Sequence, residues 1–151
     1  MPTLDESKFR VLVLCTGNSA RSQMAEGLIN ARLGDHWQAH SAGTQPAGQV
    51  HPEAIAALRE IGIDISQQRS KSVGELLGQD FDVVITVCDA AAQNCPVWLW
   101  RSRRVHLGFP DPAAAPPDRQ APEFRAVRDA IQIQVLDFLN HWQPQSKGSS
   151  T

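Results

Sequence analysis

The sequence predicts an α/β fold, a three-layer sandwich built on a four-stranded parallel sheet. Short apolar runs alternate with segments of helical period along the chain. One run, Val83-Val84-Ile85-Thr86-Val87, is nearly all apolar, as in a strand buried on both faces. Cys15, Cys88 and Asp111 each follow a predicted strand, and open parallel sheets hold their ligands beyond the carboxyl ends of the strands.

The elements follow in order. A first strand is expected over about Phe9 to Leu14. A helix then runs from about Arg21 to Leu33, with Met24, Ala25, Leu28, Ile29 and Leu33 near one face and Gly34 as its stop. A second strand fits Gln38 to Ser41. Pro52 opens a helix that reaches Ile61, with Ile55, Leu58 and Ile61 inward and Gly62 closing it. A short helix is expected near Val73 to Leu77, a third strand over Asp82 to Val87, and a fourth near Arg104 to Leu107. The proline-rich stretch from Pro110 to Pro122 reads as a surface loop. The last helix spans Pro122 to Trp142, with Phe124, Val127, Ile131, Val135 and Phe138 as its buried stripe.

The length of 151 residues suits one domain, expected over 1–142, with 143–151 as a disordered tail. A net charge of −2 argues against nucleic acid as a partner, which needs a basic face. No run of 18 apolar residues exists, so no membrane span is expected. The first residues lack the pattern of a secretory signal, which implies a cytoplasmic protein. Three cysteines are an odd number and form a poor disulfide framework. In a reducing compartment they read better as catalytic or redox-active.

The densest motif is Cys15-Thr16-Gly17-Asn18-Ser19-Ala20-Arg21-Ser22. The strand delivers Cys15 to the sheet edge. Gly17, Asn18 and Ser19 permit a tight turn with inward backbone N–H groups. The following helix presents its N-terminal amides, which attract an anion. Arg21 then clamps two oxygens of a tetrahedral oxyanion. Such a positive field favours thiolate over thiol at the nucleophile.

Phe109-Pro110-Asp111-Pro112 places a carboxyl group in a loop stiffened by two prolines, a candidate proton donor for a departing oxygen. Cys88 and Cys95 flank a small, polar, unanchored segment able to change shape. Their spacing also permits zinc ligation or inert thiols. No second cysteine pair and no histidine at ligand spacing accompanies them, so neither metal nor cofactor is expected. Trp98 and Trp100 are expected to pack beside this segment. Arg101, Arg103 and Arg104 read as a solvated face, and His106 as structural.

These motifs, with Ser41-Ala42-Gly43-Thr44, Gly62-Ile63-Asp64-Ile65-Ser66 and His106-Leu107-Gly108-Phe109, resemble the low-molecular-weight protein tyrosine phosphatase family over all but the two ends. More narrowly, they resemble its thioredoxin-coupled arsenate reductases. The resemblance implies Cys15 as nucleophile, Arg21 and the Thr16–Ser22 loop as oxyanion site, and Asp111 as general acid. It implies that Cys88 is the second thiol and Cys95 the third, ending in a Cys88–Cys95 disulfide. Ser22 would hold the Cys15 thiolate. The implied partners are arsenate, with phosphate or sulfate as analogue, and thioredoxin; the implied state is a monomer. Electron counting agrees. Phosphate-ester hydrolysis needs no second thiol, whereas reduction of As(V) to As(III) takes two electrons, which two thiols supply.

The phosphatases of this family usually carry proline where Gln23 stands, and tyrosines after the acid motif. Here Ala113-Ala114-Ala115 follows, and the chain has no tyrosine. A phosphatase acting on phosphomonoesters is the second reading, and a non-catalytic sensor the third. Some of the reductases bind potassium beside the loop. Asn18, Glu26 and Ser41 match that ligand set, but Lys71 stands where an aspartate is expected. A lysine there is expected to replace the ion with a built-in charge tied to Glu26 or Asn18.

Overall fold

The computed structural model describes residues 8–144. The chain forms β1 (Phe9–Cys15), α1 (Arg21–Arg32), β2 (Trp37–Gly43), α2 (Pro52–Arg59), β3 (Val83–Thr86), α3 (Asp89–Gln93), β4 (Arg103–His106) and α4 (Gln120–His141). Single 3-10 turns occupy Val73–Leu76, Val97–Arg101, Pro112–Ala114 and Pro117–Arg119. The four strands form one sheet in the order β2-β1-β3-β4, and every pair is parallel.

Residues Val11 to Cys15 of β1 and all of β3 are buried. Successive strand residues point to opposite faces, so both faces of the central sheet are covered. The helices α1, α2 and α4 pack on one another. The main core joins Leu12, Leu14, Leu28, Ile29, Ile85, Phe124 and Ile131, each at most 1% exposed. The rings of Phe9, Trp37 and Trp142 pack tilted or edge-to-face with centroids 5.0–5.3 Å apart, which ties the end of α4 to the starts of β1 and β2.

Several expectations need correction. In α2 the inward residues are Ala54, Ala57 and Leu58, while Ile55 and Ile61 are only partly buried. This helix packs against both α4 and α1. In α4, Leu139 and not Phe138 completes the buried stripe: it follows Val135 by the i, i+4 step that also relates Ile131 to Val135, while Phe138 is only partly buried against the core. Arg128 also lies on that buried face, its guanidinium donating to the Ala57 carbonyl oxygen at 2.8 Å and to Glu60 at 2.9 Å. The segment after Cys88 is anchored: it is the helix α3, with Ala91 fully buried. Of the expected tail, residues 145–151 lie outside the described residues. Among the described residues, no helix is long and apolar enough to cross a membrane.

The carboxyl ends of β1, β2 and β3 meet at one edge, with Cys15 opposite Gly43 and Leu14 opposite Thr86. The connections that leave this edge build the site.

Candidate active site

The loop from Cys15 to Arg21 closes around a concave cavity of about 260 Å³, which His51, Asp111 and Ala113 complete. Its shape is imposed from outside. Backbone N–H groups of Thr44, Gln45, Ala47 and His51 donate to the carbonyl oxygens of Cys15, Thr16, Gly17 and Ser19, at 2.8–3.1 Å. Those carbonyls therefore face away from the cavity. In a trans peptide unit the N–H points opposite to the C=O, so the N–H groups of Thr16, Gly17, Asn18 and Ala20 face inward. Accordingly, the Asn18 N–H lies 3.1 Å from Cys15 Sγ. Gly43 is required at the base: a Cβ there would collide with the Thr16 carbonyl oxygen.

The helix α1 begins at the loop's end with no side-chain cap and no acidic residue in its first turn. An uncapped helix start leaves N–H groups and the positive end of the dipole to a ligand. Arg21, the first residue of α1, donates from Nη1 to the Phe109 carbonyl oxygen at 3.0 Å, and its Nη2 stands 4.0 Å from Asp111 Oδ2. Asp111 caps the turn that follows it, its Oδ1 accepting from the Ala113 N–H at 3.0 Å.

Cys15 is buried, with Ser22 Oγ 2.8 Å from its sulfur. Behind the loop, Asn18 takes a left-handed backbone conformation with φ 48°. Asparagine tolerates this conformation better than most residues, and here side-chain bonds hold it. Its Nδ2 donates to Ser22 Oγ at 2.8 Å and to Ser41 Oγ at 2.9 Å, and Ser41 in turn donates to Glu26. Burial pushes the Glu26 carboxyl above its ordinary value, against the opposing pull of the Ser41 bond and Lys71. The Lys71 ammonium lies 3.8 Å from Glu26 Oε1, with both side chains mostly buried. It reaches Glu26 and not Asn18: the contact to Asn18 Oδ1 comes from the Lys71 backbone N–H, at 2.9 Å.

Cys88 directly precedes α3, without a side-chain capping bond, and lies against the loop, with Thr16 Oγ1 3.3 Å from its sulfur. Cys95 follows the end of α3. Burial raises the Cys95 thiol from its ordinary value, with Arg104 offsetting part of the shift. All three cysteines are buried and free. Cys88 and Cys95 flank α3, Cys88 directly before it and Cys95 two residues after it, and the two thiols are not bonded to each other. His106 braces this helix, with Nε2 3.0 Å from Asp89 Oδ1 and Nδ1 2.8 Å from Thr86 Oγ1. Trp98 packs on the core, but Trp100 is exposed, its ring lying 5.0 Å from the Arg104 guanidinium. Among the described residues, no cluster of three or more histidine, cysteine, aspartate or glutamate side chains has the geometry to hold a metal ion.

The model of the low molecular weight phosphotyrosine protein phosphatases matches residues 10–147. The chain belongs to that family. One similar member, an arsenate reductase of Halalkalibacterium halodurans, is 46% identical over 130 residues, covering 85% of this chain and 93% of that protein. A solved arsenate reductase in the phosphate binding state shares 32% identity and a TM-score of 0.72, over 87% of this chain and 97% of that one. The low molecular weight protein tyrosine phosphatase from T. tengcongensis gives the same TM-score at 27% identity, over 89% of this chain and all of that one. The four-stranded parallel sheet and its helices are the fold of these low molecular weight phosphatases and reductases.

Sequence reasoning gave no place in the site to three participants. His51 lines the cavity and caps α2, its Nδ1 accepting from the Glu53 N–H. The histidine before Pro52 was a readable signal, since a residue preceding a helix-opening proline is the cap. The Phe109 carbonyl, which holds Arg21, carries no sequence signal. Gln23 is fully buried beneath the loop and donates to Asn18 and to Arg69.

Proposed function

We propose that this chain is an arsenate reductase that works through Cys15, Cys88 and Cys95, with thioredoxin as the external dithiol. The placement of Cys88 carries the reading. A phosphatase of this fold needs one thiol, yet here a second lies against the anion loop and a third follows one short helix later. The similarity to arsenate reductases over most of both chains supports it.

The geometry supports the following chemistry. Arsenate enters the cradle of loop amides and the α1 N-terminus, and Arg21 takes two of its oxygens. The Cys15 thiolate attacks arsenic and an oxygen leaves as water, with a proton from Asp111. The Cys88 thiolate then attacks Cys15 sulfur. The sulfur–arsenic bond breaks, its electron pair stays on arsenic, and As(III) leaves as arsenite. Cys15 and Cys88 are left as a disulfide, so two thiols have supplied the two electrons. Cys95 attacks Cys88, which frees the Cys15 thiolate and moves the disulfide to Cys88–Cys95. Thioredoxin reduces that bond by the same exchange. The reaction takes place in a reducing cytoplasm, and the chain acts as a monomer.

The oxyanion site uses no potassium. Asn18 Oδ1 already accepts two N–H bonds, Ser41 Oγ already accepts and donates, and the Lys71 ammonium covers Glu26. This donor set does not fit a further cation, and Lys71 supplies the charge.

Steady-state arsenate reduction with reduced thioredoxin, and separately with glutathione and glutaredoxin, tests the reading. Turnover with thioredoxin alone is the expected result. Turnover only with glutathione and glutaredoxin would remove thioredoxin from the scheme. Phosphomonoester hydrolysis without any arsenite would make the chain a phosphatase.

A further inference from the structure

Gln23 is fully buried on the first turn of α1, and the proposed reaction gives it no task. Its Nε2 lies 3.0 Å from the Asn18 carbonyl oxygen, 2.8 Å from Asn18 Oδ1 and 3.0 Å from the Arg69 carbonyl oxygen. Backbone carbonyls only accept, so this atom is the amide nitrogen. Its oxygen accepts from Gln68 Nε2 at 2.7 Å.

The consequence runs through Asn18. A backbone N–H only donates, so the Asn18 atom 2.9 Å from the Lys71 N–H is its carbonyl oxygen. Gln23 donates to the same oxygen. With that oxygen fixed, the Asn18 amide group gives its two hydrogens to Ser22 Oγ and Ser41 Oγ. Ser22 Oγ, already accepting from Asn18, is left with its own proton to place, and Cys15 Sγ lies 2.8 Å away. Each bond thus has one direction, and the direction is set behind the loop.

We propose that Gln23 is a positioning residue that locks the Asn18 amide so that the Ser22 hydroxyl donates to the Cys15 thiolate. The proposal rests on Cys15 as the nucleophile. The two hydrogens of Gln23 Nε2 are shared among three acceptors, and Gln23 acts on Asn18 directly at Oδ1 and, through the Arg69 carbonyl, on the segment carrying the Lys71 N–H. It also steadies the left-handed backbone of Asn18 through the Asn18 carbonyl oxygen. The carbonyls of Cys15, Thr16, Gly17 and Ser19 are held by the Thr44 to His51 backbone, and of the cradle Gln23 touches Asn18 alone. Removing the Gln23 donor therefore weakens the nucleophile more than the grip on the anion.

The test uses Gln23→Met, which keeps length without a donor, and Gln68→Met, a milder change at a partly buried position. Two quantities are read on the whole chain: the rate of Cys15 alkylation by iodoacetamide at pH 7, followed by peptide mass, and the affinity for inorganic phosphate. Gln23→Met is expected to slow alkylation about tenfold, the worth of one hydrogen bond to a charged sulfur, with phosphate affinity held within about twofold. Gln68→Met is expected to slow it about two- to threefold, with the same split. In a Ser22→Ala chain, Gln23→Met is expected to add almost nothing, because both changes remove the same bond. Unchanged alkylation in both variants would overturn the proposal. So would a parallel fall in alkylation and phosphate affinity, which would make Gln23 a support of the loop as a whole. Cys15 reacting no faster in the folded wild-type chain than in urea would remove the nucleophile itself, and the proposed reaction with it.

Discussion

The Arg21 guanidinium donates to the Phe109 carbonyl oxygen at 3.0 Å and stands 4.0 Å from the Asp111 carboxyl group. The candidate oxyanion clamp and the candidate acid are thus joined through one short loop. Asp111 is about half exposed, and its other oxygen is fixed by the Ala113 N–H, so it points at the cavity without being buried in it. Removing its proton should slow departure of the arsenate oxygen and leave anion binding alone. Asp111→Asn is expected to lower kcat by roughly 10²–10³, within the range for a lost general acid. Phosphate should still inhibit competitively with an unchanged constant. Equal loss of rate and of phosphate binding would place Asp111 in anion binding.

The third thiol divides the two chemistries that this loop supports. Cys95→Ser is expected to abolish repeated arsenate turnover with thioredoxin. Phosphomonoester hydrolysis, which ends with water attacking phosphorylated Cys15, should stay within about twofold of the wild-type rate. Steady-state assays of both reactions on the same preparation make the comparison. Parallel loss of both activities would contradict the relay.

Lys71 and Glu26 form a mostly buried ion pair two hydrogen bonds from Asn18. If the ammonium supplies the charge that a bound cation would, exchanging sodium for potassium at equal ionic strength should change neither kcat nor melting temperature. Lys71→Ala leaves a desolvated carboxylate without its partner and should cost about 1–3 kcal/mol, read by urea unfolding. A clear gain of activity or of melting temperature in potassium would contradict this account.

His40, on β2, is held to a pKa of about 4, below its ordinary 6.5, chiefly by burial and secondarily by Arg10 and Lys71. Its Nε2 lies 3.3 Å from Arg10 Nη2, and its ring sits edge-on to Phe81. Between pH 6.5 and about 4 the unfolded chain takes up a proton that the folded chain refuses. Stability from this group is therefore present above pH 6.5 and is lost as pH falls through that window. With His40 partly solvated, the screened loss is about 1–2 kcal/mol. Urea unfolding of wild type and His40→Gln at pH 7 and pH 4.5 isolates it. The wild type should lose that much more than the variant, whereas equal losses would show that His40 does not titrate in this way.

The parts that read directly from sequence are those whose physics is local. The cysteine-to-arginine spacing, the strand before it and the helix after it specify a loop, and the loop is where it was expected. The face of α4 differs only at its end, where the i+3 and i+4 positions after Val135 are both apolar and the sequence pattern alone does not say which of Phe138 and Leu139 is the more buried. The helix α3 was read as loose because five residues show no period, although Asp89-Ala90-Ala91-Ala92-Gln93 is rich in good helix formers. For Lys71 the sequence leaves Glu26 and Asn18 open as partners; the ammonium lies beside Glu26, and the link to Asn18 runs through the backbone, which no side-chain pattern signals. Gln23 stood out only by contrast with a proline, and its bonds depend on where residues 68–71 fold.

The central claim is that two thiols of one chain reduce one arsenate and that the third receives the disulfide. The direct measurement is a thiol count after a single turnover. The protein is reduced, freed of reductant and mixed with arsenate; free thiols are then titrated and the disulfide mapped by peptide mass. The account predicts that two thiols disappear, one arsenite forms per chain, and Cys88 is joined to Cys95. Three surviving thiols and no arsenite would contradict it, leaving the anion loop to a phosphatase.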